Sequence, residues 1–65
     1  MKQVKDTNET MWNVYDVLYA DQYNQIYPNH VQINIGRTHG PERGITLPVY
    51  LAERWLDGEI RIALI

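Results

Sequence analysis

The sequence predicts a small α+β domain: an antiparallel sheet of three or four strands with one helix packed on one face, in the order β-β-α-β. Three observations carry this. Val31, Gln32, Ile33, Asn34 and Ile35 alternate apolar and polar, the period of a half-buried strand. Val49, Ala52, Trp55 and Leu56 recur at helical spacing between Pro48 and Gly58, which makes one apolar stripe on a short helix. Ile60, Ile62 and Leu64 alternate with Glu59, Arg61 and Ala63, a second strand pattern. A sheet with a helix on one face buries all of these stripes together.

Residues 1–10 are polar and lack periodicity; they read as a flexible N-terminal arm. Residues 11–65 then form a single globular domain, the only reasonable count for 65 residues. Val, Tyr and Trp weight residues 11–20 toward a strand. On that strand Trp12, Val14, Leu18 and Ala20 share one face, with Asp16 the exception, and Met11, Tyr15, Val17 and Tyr19 share the other. A helix over the same residues would line up Met11, Val14, Tyr15 and Leu18, with Asp6 and Glu9 as a capping-box-like start.

Residues 21–24 read as a turn, and a short extra strand fits near residues 23–27, before Pro28 and Asn29 break the chain. The strand over 31–35 ends at Gly36, and residues 37–44, with two Gly and one Pro, read as a loop. Thr46 is the expected N-cap of the helix and Pro48 its first-turn proline. Gly58 is the expected left-handed stop. At about three turns the helix needs packing to persist.

Composition narrows the function classes. There is no Cys and no Ser, so disulfides, thiolate metal sites and the usual nucleophiles are excluded. The chain suits a reducing compartment, and a cytoplasmic location is expected. No apolar run approaches the ~20 residues that span a bilayer, and the basic start at Lys2 has no apolar core behind it, so neither a membrane partner nor a signal peptide is expected. Small domains without disulfides lean on oligomers or partners.

Catalytic and metal constellations are missing. His39 near Glu42 is the one acid–base pairing in reach, and it reads as a solvated loop. His30, His39, Asp16 and Asp21 show no ligand spacing. Gly36, Gly40 and Gly44 are evenly spaced, but Pro41 removes an amide from that loop and no lysine accompanies it. No enzyme activity, no cofactor and no metal are expected.

Two surfaces remain. Tyr15, Tyr19, Tyr23 and Tyr27 fall at intervals of four, and on an uninterrupted strand they share one face. They lie in a segment, from Asp6 to Gly36, that has no Lys or Arg but holds Asp16 and Asp21 among many Asn and Gln. Tyrosine offers a rigid ring with a polar tip, a composition that suits protein interfaces. Tyr15, Tyr19, Tyr23, Tyr27, Asp16 and Asp21 are therefore the expected protein-binding residues. The second surface is the loop holding Arg37, His39 and Arg43, which could touch phosphate or acidic side chains.

The expected function is that of a small non-enzymatic protein-interaction domain, an inhibitor or modulator of a larger protein. In size and layout the chain resembles the short accessory proteins with which phages and mobile elements block host or defence enzymes; no residue pattern names a family. The resemblance implies a protein partner, including a nucleic-acid-processing complex whose basic channel an acid-leaning face could cover. Two alternatives stand beside it. One is a nucleic-acid-binding module using Arg37, His39 and Arg43, which the net charge of −2 disfavours. The other is a homo-oligomeric structural subunit joined through an open sheet edge.

Overall fold

The computed structural model describes residues 2–19 and 29–64. Asp21, Tyr23, Tyr27 and the short strand expected near 23–27 lie outside the described residues. Four strands, β1 (Gln3–Lys5), β2 (Met11–Tyr19), β3 (His30–Gly36) and β4 (Arg43–Pro48), form one sheet in the order β1-β2-β3-β4. All neighbours are antiparallel. Among the described residues one helix, α1 (Val49–Leu56), follows the last strand.

The class is α+β, as expected, but the helix comes last rather than third. The difference has two sources: residues 43–48 form a strand before the helix, and residues 59–64 form no strand after it. Arg43, Ile45 and Leu47 pair with Ile35, Ile33 and Val31, while Gly44 and Thr46 pair with Asn34 and Gln32. This is a period-2 strand in which Gly44, second from its start, and Pro48, at its end, resemble loop punctuation. Pro48 is tolerated because it ends an edge strand. Thr46 is thus an outward strand residue and not a cap. Pro48 is the N-cap, with φ −55° and ψ 144° and no side-chain cap. The Val49 N–H instead donates to the Asn29 carbonyl at 2.8 Å.

The expected stripe on α1 holds. Ala52 and Trp55 are buried, and Val49 and Leu56 pack beside them on Val4, Val31, Ile33 and Ile35. The helix stops in a Schellman motif: Gly58, at φ +81°, donates to the Trp55 carbonyl and Glu59 to the Arg54 carbonyl.

The stretch expected as an arm supplies β1. Val4 is 2% exposed and seals one side of the core. Residues 6–10 then lead into β2: Asp6 N–H donates to the Thr10 carbonyl, Glu9 N–H donates to the Asp6 carbonyl, and Glu9 takes φ 63°, a hairpin that closes through a left-handed residue. The Asp6 carboxylate, 5% exposed, organises it. It accepts from Asn8 N–H and Thr10 N–H at 2.9 Å and from Trp12 Nε1 at 3.0 Å.

The expected C-terminal strand is absent. Ile60, Ile62 and Leu64 do turn toward the core, but among the described residues the only pairing is one parallel bridge between Asp6 and Ile62. The bridge lies one residue beyond the end of β1 at Lys5 and is not continued into a ladder.

Candidate functional site

β2 explains the fate of the tyrosines. Its register to β3 runs Val14 to Ile35 and then Asp16 to Asn34, so Tyr15 is the extra residue of a bulge. The bulge resets the alternation. Trp12, Val14, Val17 and Tyr19 fall on the helix-bearing face, opposite Val4, Ile35, Ile33 and Val31. Asp16 pairs with Asn34 on the other face, so its charge escapes the core. The Val17 N–H donates to Asp16 Oδ1 at 2.9 Å and fastens the bulge.

Without the bulge, Asp16 would face the core and Tyr15 and Tyr19 would share a face. With it, the two rings lie on opposite faces, which corrects the common face expected from their spacing. A Cβ on Gly36 would come within 3.0 Å of Tyr15 Cε2, so the ring lies over that glycine on the side away from α1. Both rings are substantially exposed, Tyr15 by 43% and Tyr19 by 47%.

No described element covers the face that carries Tyr15. Around it, by register, stand Asn13, Asp16, Leu18, Gln32, Asn34 and Thr46. The amides are linked in pairs: Gln3 Nε2 donates to Asn13 Oδ1 at 3.0 Å, and Gln32 Nε2 to Asn34 Oδ1 at 2.9 Å. Ordered amides beside an exposed aromatic suit hydrogen bonding to another protein.

The arginines form a second cluster. Arg37 and Arg43 each place their guanidinium carbon 5.9 Å from the centre of the Trp12 ring, within cation–π range. Trp12 also donates to Asp6. That hydrogen bond is the largest influence holding the Asp6 carboxyl below its ordinary value, with the amides of Thr10 and Asn8 and the charge of Arg37 adding to it and burial opposing it. Arg43 comes from the edge strand, half-buried at the end of the core face, where an inward charge guards the edge.

His39 is exposed in the 37–42 loop and does not join the cluster, and no hydrogen bond or ion pair links it to Glu42 among the described residues. Sequence reasoning missed Trp12 as the residue that gathers the arginines. It also missed Tyr50, which is 62% exposed on α1. The helical phase was the available signal for Tyr50, since it lies off the Val49, Ala52, Trp55 stripe.

Among the described residues no group of three or more His, Asp or Glu converges as a metal site, and no helix is long and apolar enough to cross a membrane. No family profile, curated protein or solved structure matches the chain.

Proposed function

We propose that the chain is a small protein-interaction domain that modulates or inhibits a larger protein. One observation carries the reading: Tyr15 and Tyr19 stay about half exposed after the core is filled. Rings of this size left at the surface of a 65-residue domain are expensive to hydrate and suit a second protein surface. Asp16 and the paired amides beside Tyr15 add a polar, acid-leaning surround. By class the reading matches the inhibitors that phages and mobile elements direct at host or defence enzymes, including nucleic-acid-processing complexes. In this reading the encounter is cytoplasmic, in keeping with a chain that has no cysteine.

The test is affinity capture from the native host lysate with nuclease present, comparing the parent chain with Tyr15→Ala and Tyr19→Ala. The reading expects a discrete protein retained by the parent and depleted by at least one variant that still folds. Identical capture by all three overturns it.

Arg37 and Arg43 beside Trp12 favour one second reading, contact with nucleic acid through charge and stacking. It requires binding to single- or double-stranded nucleic acid at low salt that falls steeply as salt rises; no binding at low salt rules it out.

A further inference from the structure

The helix covers the sheet unevenly. α1 approaches the backbones of β1, β3 and β4 but not that of β2, although β2 is the longest strand and lies between β1 and β3. The gap is a groove of about 380 Å³, within the ~300–1,000 Å³ range of ligand pockets. Its floor is Val14 and Val17, its wall Leu56, and its rim Lys2, Glu53 and Asp57. The three apolar residues border the core yet remain only half-buried.

The charge around it leans negative. Two carboxylates face one ammonium on the rim, and Asp57 caps the C-terminal end of α1, where the helix carries its partial negative charge. From Asp6 through Tyr19 the chain that forms the floor strand has no Lys or Arg. Arg54 is exposed in the last helical turn but does not line the groove. An apolar floor under an acidic rim complements an apolar side chain carried between cations, and it is ill suited to nucleic acid.

We propose that this groove seats an apolar side chain of a partner protein segment flanked by Lys or Arg. The assignment rests on the protein-interaction reading and specifies the chemistry of the partner. Tyr19 shares the helix-bearing face of β2 with Val14 and Val17 and extends the contact beyond the groove, whereas Tyr15 lies on the opposite face.

The experiment pans a random 12-residue phage-displayed peptide library on the immobilised full chain and measures the enriched peptides by fluorescence anisotropy. The expected result is enrichment of peptides with an apolar residue flanked by Lys or Arg. Their binding should weaken at least tenfold in the exposed double variant Glu53→Lys with Asp57→Lys and stay unchanged in Glu42→Lys, the same charge change at an exposed loop position outside the groove. Glu53 and Asp57 lie in and just after the last helical turn, where cations are tolerated, so the fold should survive both changes; circular dichroism checks this. Enrichment of acidic or uncharged peptides, or equal binding to the double variant, overturns the assignment, as does the absence of any enrichment. Peptides that lose affinity only in Tyr15→Ala overturn the groove while leaving the protein-interaction reading standing. Concentration-dependent sedimentation abolished by the double variant identifies the occupant as a second copy of the chain and also overturns the assignment.

Discussion

Replacing Trp55 tests how the core is held. The side chain is fully buried, and its indole Nε1 donates to the Lys5 carbonyl at 2.8 Å. It therefore ties α1 to β1, elements separated by most of the chain. Trp55→Phe keeps most of the ring but leaves that carbonyl without its donor, at a cost of about 1–3 kcal/mol. Trp55→Ala adds a cavity, at about 3–5 kcal/mol in all for an aromatic truncation. A domain this small commonly draws only ~3–5 kcal/mol from its core. Trp55→Phe is thus expected to fold with a lowered urea midpoint, and Trp55→Ala to be largely unfolded in buffer. Far-UV circular dichroism through a urea titration reads both. A Trp55→Ala chain with the parent midpoint would refute the idea that this side chain closes the core.

The surface tyrosines should behave differently. Burying a large side chain fully is worth about 1.5–3 kcal/mol; with roughly half of each ring in water, Tyr15→Ala and Tyr19→Ala are each expected to cost about 1 kcal/mol in the same titration, and losses matching Trp55→Ala would place the rings in the core. Glu9 holds φ 63° and an exposed ion pair to Arg61 at 3.2 Å. Left-handed backbone costs a non-glycine residue about 1–2 kcal/mol and exposed pairs contribute about 0–1 kcal/mol, so Glu9→Gly should raise the thermal midpoint; a fall would show that the ion pair dominates. Asp6 has a carboxyl lowered from 3.8 in the folded chain. Its contribution is therefore complete above that value and lost as pH falls through the folded value. Trp12→Phe removes the leading cause and should move the acid-unfolding midpoint upward, and an unchanged midpoint would show that the indole does not hold the carboxylate.

The sequence was most legible where one period acted alone. Val31, Ile33 and Ile35 have uninterrupted alternation, and Val49, Ala52 and Trp55 an uninterrupted helical stripe; both were found in place. β4 was hidden because Gly44 and Pro48 are loop and helix-start residues in most settings, and only pairing with β3 reveals Ile45 and Leu47 as a strand. For residues 60–64 the alternation correctly gave the side that faces inward, but it carries no information about a neighbour, and the structure pairs only Ile62, with Asp6. The β2 bulge did leave a trace, since Asp16 stood alone on an otherwise apolar face. A charge that breaks a strand pattern is physically cheaper to remove by one extra residue than to bury. That single residue also separates Tyr15 from Tyr19. The convergence of Arg37 and Arg43 on Trp12 depends on strands distant in sequence, and no local pattern announces it.

The most direct measurement is a tyrosine-nitration footprint, read by mass spectrometry, of the free chain and of the chain in complex with the protein it captures. The account expects Tyr15 and Tyr19 to be nitrated readily in the free monomer and at least one of them to be shielded in the complex. Rings that resist nitration in the free chain, or that react equally in both states, would contradict it.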